Sequence, residues 1–229
     1  IPVTGGQPER VAGGDNAFGL TIARQGQRLA FSQLVADTNI WRVELANTTT
    51  VRGTPVKLIA STRLDDSQQY SPDGSQLVFG SNRSAHEELW LCNSDGSNQT
   101  QVTNFNGPPV GSPRWSPDGK QLTFFITGKN RSQLKPGVWV MNVDGSGREW
   151  LCGGWCPRWS PDGKWVLYSM AIAGNTDIYK MPSSGGPAVK LTDSPGIDIG
   201  GSFSPDGSRI VFESDRSGSQ QVYVMNADG

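Results

Sequence analysis

The sequence predicts an all-β protein, a β-propeller of four-stranded antiparallel blades with five repeats, and two observations carry that expectation. Ser-Pro-Asp-Gly begins at Ser71, Ser116, Ser160 and Ser204, at separations of 45, 44 and 44 residues. After each turn glycine, positions +3 and +5 are apolar or aromatic: Leu77/Phe79, Leu122/Phe124, Val166/Tyr168 and Ile210/Phe212. A tetrapeptide returning at near-constant spacing marks a repeat architecture. A two-residue apolar rhythm marks a strand with one face buried. Helical arrays of similar period need a 3.6-residue rhythm, which is absent.

The elements follow in order. A degenerate first copy of the turn is Ala23-Arg24-Gln25-Gly26, followed by Leu29/Phe31. Ile22, Tyr70, Trp115, Trp159 and Phe203 precede the turns and end the first strands. A third strand follows in each unit around Ile40-Trp41, Leu89-Trp90, Val138-Trp139, Ile178-Tyr179 and Val222-Tyr223, then an Asn-x-Asp-Gly-type turn. A fourth is expected around Val56–Leu58, Gln101–Thr103, Glu149–Leu151 and Val189–Leu191. Four short strands in about 44 residues match a propeller blade, about 40–45 residues long. Each core side chain adds roughly 1.5–3 kcal/mol when fully buried. The repeats are read as 14–60, 61–104, 105–152, 153–194 and 195–229, in one domain spanning 1–229. Residues 1–13 are expected to supply an outer strand, with 8–12 pairing against 220–225 to close the ring and remove two bare edges.

The turns are read as structural. Pro72, Pro117, Pro161 and Pro205 preset φ for a type I turn. Asp73, Asp118, Asp162 and Asp206 tighten their own hairpins rather than form a metal ring, and Gly74, Gly119, Gly163 and Gly207 take the last position.

Composition excludes several functions. Lys+Arg 20 against Asp+Glu 21 leaves a net charge of −1, so no basic field holds nucleic acid. No apolar run approaches 18 residues, so no membrane insertion is expected. His86 is the only histidine. With no Gly-x-Ser-x-Gly elbow, neither a serine triad nor a histidine-bound metal is supported, so no catalytic residue, metal or cofactor is expected. Cys152 and Cys156 can close a small loop or stay as two thiols, and the spacing does not choose.

Binding is expected on the end that carries the variable loops 12–18, 60–67, 81–87, 103–112, 126–136, 152–157 and 192–200. Phe105 and Trp155 are candidate aromatic anchors, although Trp155 also suits a core position between blades. Arg63, Asp65, Asp66, Asp193 and Asp198 are candidates for a channel mouth. Asp65 and Asp198 share a repeat position, but Ala17, Val110 and Gly154 replace them in the other repeats and cannot ligate. Lys129, Arg131 and Lys135 form a basic loop that reads as a solvated surface.

Pro113-Arg114-Trp115-Ser116-Pro117-Asp118-Gly119, Pro157 to Gly163, Ser81-Asn82-Arg83, Ser214-Asp215-Arg216 and Val224-Met225-Asn226-Ala227-Asp228-Gly229 resemble the TolB-like, WD40-like propeller repeats. Three repeats lack the arginine of that pattern. Asp37–Arg42 and Leu58–Arg63 look most like the propellers attached to bacterial winged-helix regulators. The resemblance implies a bacterial, non-enzymatic sensor or interaction module binding a protein or peptide through its loop face and central channel, in the periplasm or the cytoplasm. It also admits a gating propeller of a hydrolase, or a small-ligand or glycan binder. The chain is expected as a monomer or an assembly through open blade edges.

Overall fold

The computed structural model describes residues 17–22, 28–34, 38–47, 49–128 and 134–229. The expected outer strand at 1–13, the degenerate turn at 23–26, and Lys129 and Arg131 lie outside them. The described residues form strands, turns and bends, with no helix.

Five antiparallel sheets are described, each built of strands in sequence order. The first holds β1 (Ala17–Ile22), β2 (Arg28–Leu34), β3 (Thr38–Leu45) and β4 (Val51–Ile59). The second holds β5 (Asp65–Tyr70), β6 (Gln76–Ser81), β7 (Glu88–Asn93) and β8 (Thr100–Gln101). The third holds β9 (Val110–Trp115), β10 (Gln121–Ile126), β11 (Gly137–Asn142) and β12 (Glu149–Cys152). The fourth holds β13 (Trp155–Trp159), β14 (Trp165–Ile172), β15 (Asn175–Pro182) and β16 (Val189–Lys190). The fifth has three strands, β17 (Asp198–Phe203), β18 (Arg209–Ser214) and β19 (Gln221–Asn226).

The chain divides into two compact units, Ile1–Gly107 and Pro108–Gly229. Within the first unit, Ala30, Ile40 and Ile59 pack with Tyr70, Leu77 and Phe79 of the second sheet. Within the second unit, Val138, Val140 and Leu151 meet Val166, Tyr168, Tyr179 and Met181. On the other face of the fourth sheet, Leu167 and Ile178 meet Ile210 and Phe212 of the fifth. Within each unit the +3 and +5 side chains Leu77, Phe79, Val166, Tyr168, Ile210 and Phe212 therefore lie in the layer between neighbouring sheets, and Leu122 and Phe124 of β10 are also fully buried.

The four Ser-Pro-Asp-Gly turns share one geometry. In the first, Gly74 N donates to Ser71 O (2.9 Å), Ser71 Oγ to Asp73 Oδ1 (2.5 Å), and Gln76 N to Ser71 Oγ (2.9 Å). The same bonds recur at Ser116, Ser160 and Ser204. The Ser71 hydroxyl, then the Ser75 amide and hydroxyl, hold the Asp73 carboxyl down at about 2. Gly74 sits at φ +73° and Gly207 at +73°, a region that favours glycine. Successive turns nest: a Cβ on Gly163 would lie 3.7 Å from Pro117 Cδ, and one on Gly207 3.7 Å from Pro161 Cδ.

The sequence pattern did not show that every first strand is bulged. Gly19, Ser67, Ser112, Cys156 and Gly200 all have positive φ (64°, 55°, 48°, 55° and 70°), each four residues before the first position of its turn. The ladder slips there in all five sheets, between Asp66 and Gln69 for example. The extra residue bends the strand and resets which side chains face which sheet.

Candidate functional site

The loop-bearing ends of the sheets are held by two kinds of buried acid. Asp65, fully buried at the start of β5, accepts Ser81 Oγ (2.6 Å) and Arg83 Nη2 (2.6 Å) on Oδ1, and Ser61 Oγ (2.8 Å) on Oδ2. Arg83 Nε donates to Ser81 Oγ (2.9 Å), and its guanidinium lies 5.3 Å from the Phe79 ring centre and 5.0 Å from that of Trp90. The fifth sheet repeats the arrangement. Asp198 accepts Arg216 Nη2 (2.9 Å) and Ser194 Oγ (3.2 Å), Arg216 Nε donates to Ser214 Oγ (2.9 Å), and the guanidinium covers Phe212 and Tyr223. Burial pushes the Asp198 carboxyl up, but hydrogen bonds from Ser214, Thr192 and Arg216, with the charge of Arg216, hold it below the usual carboxylate range. The Ser-x-Arg motif and the shared Asp position, noted separately in the sequence, are two halves of one brace.

The second acid opens the third strand. Glu88 is buried and accepts Thr103 Oγ1 (2.6 Å), Phe105 N (2.7 Å) and Asn106 N (3.0 Å). Thr103 Oγ1 in turn accepts Leu89 N (2.8 Å). In the fourth sheet Asp177 accepts Asn175 Nδ2 (3.0 Å) and Thr192 Oγ1 (3.3 Å) and pairs with Lys190 Nζ at 3.1 Å. Thr192 Oγ1 accepts Ile178 N (3.0 Å). A charged acceptor satisfying backbone donors fixes the loop that leaves the sheet. The sequence carried this signal as an acidic residue heading the third-strand triplet, with a threonine 15 positions later.

The candidate contact residues thus divide. Asp65 and Asp198 are fully buried and bonded within their own sheets. Arg63 is exposed beside Ser61. Asp66 is half-buried, its carboxylate 3.1 Å from where a Cβ on Gly80 would stand. Burial and then the Asp66 charge push the nearby Glu87 up to about 7. Phe105 is half-buried on the loop pinned by Glu88. Trp155 is half-buried on β13, opposite Ser169. Asp193 has a side chain 88% exposed and an ion pair with Lys190. Ser61, Arg63, Asp65 and Asp66 come together at one sheet corner, whereas Trp155, Asp193 and Asp198 sit on three different segments of the second unit. The basic-loop residue Lys135 is exposed over the Trp150 ring, 5.0 Å from its centre.

The three cysteines are unbridged. Burial pushes the Cys152 thiol up to about 12 against a hydrogen bond with Tyr168, far from the thiolate a nucleophile needs. Among the described residues no group of His, Cys, Asp or Glu is arranged to hold a metal. The turn-bearing end of the second unit has a groove of about 450 Å³ that sequence reasoning did not anticipate, lined by Trp165, Lys180, Phe203 and Asp206 among others. Lys180 Nζ spans it, 5.2 Å from the Trp165 ring centre and 2.6 Å from Ala227 O.

Comparison with known proteins gives the family. A Protein TolB homolog of Chlorobium luteolum is 30% identical over 221 residues, covering 91% of this chain and 48% of that protein. The Tol-Pal system protein TolB of Bordetella pertussis is 36% identical over 162 residues, 68% of this chain and 35% of that protein. The chain therefore spans about half or less of the length of these relatives. The crystal structure of TolB from Acinetobacter baumannii superposes with a TM-score of 0.79 at 20% identity, covering 93% of this chain and 52% of the other. An oligogalacturonate lyase from Vibrio parahaemolyticus shares the fold at 16% identity and TM-score 0.67, over 92% of this chain and 65% of the other. Fold alone therefore does not separate binding modules from enzymes. The relatives are TolB proteins rather than winged-helix regulators, so the special likeness expected for residues 37–42 and 58–63 has no support. Residues 81–229 match the TolB beta propeller domain, and the chain belongs to that family.

Proposed function

We propose that this chain is a non-enzymatic interaction module of a bacterial TolB-like protein, and that it docks a protein partner of a Tol-Pal system through the loop-bearing ends of its sheets. The observation that carries this reading is the pinning of those loops. Glu88, Asp177, and the Asp65–Arg83 and Asp198–Arg216 braces fix short loops, so contact residues are presented at little ordering cost. Arg63, Asp66, Phe105, Trp155 and Asp193 are the contact candidates, with exposed charge beside half-buried aromatic rings. Arrangement of the five sheets about a common axis, a central channel, and closure by residues 8–12 belong to the same proposal. The Tol-Pal relative supports the kind of partner, and the compartment proposed with it is the periplasm, one of the two that the resemblance above admits.

The test is surface plasmon resonance of the chain against purified Tol-Pal components of its own bacterium. Binding should weaken at least tenfold in the double variant Arg63→Glu, Phe105→Ala, and hold in Lys120→Glu, Lys164→Glu at the turns. Equal losses in both variants, or no binding by wild type, would remove the proposal.

A further inference from the structure

The groove at the turn-bearing end of the second unit lies between the fourth and fifth sheets, and the register explains its walls. Leu167 packs in the layer between those sheets. Lys180 is paired with Leu167, and Trp165 lies two residues before it on β14, so alternation turns both side chains toward the fifth sheet. Phe203, at the end of β17, lines the groove with them, and Asp162 and Asp206 stand on its two bordering turns.

This surface departs from the repeat. At the Trp165 position, five residues after the turn serine, the second, third and fifth sheets have Gln76, Gln121 and Arg209. At the Lys180 position they have Leu91, Val140 and Val224. The first sheet has Arg42 there, which donates to the equivalent turn carbonyl, Ser94 O, at 3.3 Å, but with Arg28 in place of the indole. A cation reaching the next turn therefore belongs to the fold, whereas the aromatic wall beside it is an addition.

The groove sets both signs of charge against apolar walls. Lys180 Nζ carries three donors, one of them on Ala227 O. Asp162 Oδ1 accepts Ser160 Oγ and Lys164 N, while Oδ2 lies 3.7 Å from the exposed Lys164 ammonium. The Ser204 hydroxyl, then the Ser208 amide and hydroxyl, hold the exposed Asp206 carboxyl at about 2, so it is an acceptor at neutral pH. An incoming anion meets two carboxylates, and an incoming cation meets the Lys180 ammonium. A neutral ring bearing hydroxyl groups meets acceptors, a donor and aromatic surface together, its C–H edges suiting the negative face of an indole. The volume of about 450 Å³ lies within the range of roughly 300–1,000 Å³ that holds small ligands. A second cleft of about 410 Å³, lined by Ser208, Asn226 and Asp228, shares Lys180 and Ala227 with the first. The space thus continues along the last turn and suits several linked rings rather than one.

We propose that this groove binds a neutral oligosaccharide, with Trp165 as its platform and Lys180, Asp162 and Asp206 as the groups that hold hydroxyls. The site is at the opposite end of the sheets from the docking loops and does not depend on the docking reading.

The experiment is isothermal titration of the chain with cellohexaose, maltohexaose and N-acetylchitohexaose, against hexagalacturonate and chitosan hexamer as charged counterparts. At least one neutral hexasaccharide should bind saturably with a Kd of about 1 mM or tighter. Trp165→Gln should weaken that binding at least tenfold, and Gln76 and Gln121 show that the fold accepts glutamine at this position. Gln121→Ala, at the equivalent place in the third sheet, should leave the binding unchanged. In wild type the same sugar should shift the Trp165 indole N–H resonance and leave that of Trp150 in place, which keeps the test valid if the glutamine variant fails to fold. Binding of no neutral sugar, binding of the charged hexamers alone, undiminished binding by Trp165→Gln, or an unmoved Trp165 resonance would overturn the proposal.

Discussion

At the scale of single residues, polar groups inside this molecule are informative because few are left to chance. Asp65 reads in the sequence as one of several loop acids, yet it has no exposed surface and three donors within 2.8 Å. Glu87 behaves oppositely. Burial first, then the Asp66 charge, lifts its carboxyl to about 7, so ionising it opposes folding. The folded value lies above the ordinary one, so the unpenalised state is fully present below about 4.5 and is lost as pH rises through 7. Glu87→Gln should therefore melt higher than wild type at pH 8 and nearly equal to it at pH 4, measured by circular dichroism. Equal gains at both pH values would exclude this cause. Neither residue's state was legible in the sequence, because burial at a loop corner depends on which strands meet there. The pairing of Ser-x-Arg with the shared Asp was present in the repeat but shows only once β5 and β6 lie side by side.

At the scale of elements, strand existence was legible and strand shape was not. The turn tetrapeptide and the +3/+5 rhythm specify β6, β10, β14 and β18, whose inward residues are buried as expected. The first strands carry no such rhythm, because a bulge at Ser67, Ser112, Cys156 and their equivalents breaks the alternation. Two of the five bulge positions are glycine, and that is the signal an alignment of the repeats on their turns would have exposed. Non-glycine residues there store backbone strain of about 1 kcal/mol or more. Ser112→Gly should raise stability by roughly 0.5–1 kcal/mol in urea unfolding, the relieved strain being partly offset by the unfolded-state entropy of glycine. A loss of stability would show that the Ser112 side chain matters more than its φ.

At the scale of the whole molecule, the sheets are unequal. Among the described residues the fifth has three strands, and its outer face shows Val211 (40% exposed), Val222 (70%) and Val224 (59%), with Val211 directly opposite Val224. Apolar side chains clustered on an open face favour association. The isolated 229-residue chain should show concentration-dependent mass in light scattering, and Val222→Lys with Val224→Lys should shift it to monomer. Unchanged mass across a hundredfold dilution series would count against this. The sequence announced the repeats and the family pattern, whereas the face left uncovered follows from packing.

The nested turns have a bearing on descent. Because the proline ring of one turn rests against the glycine of the next, at Pro117–Gly163 and again at Pro161–Gly207, a gene that gains or sheds a whole repeat recreates the same seat at the new junction. A crossover of any other length strands a ring without its cushion.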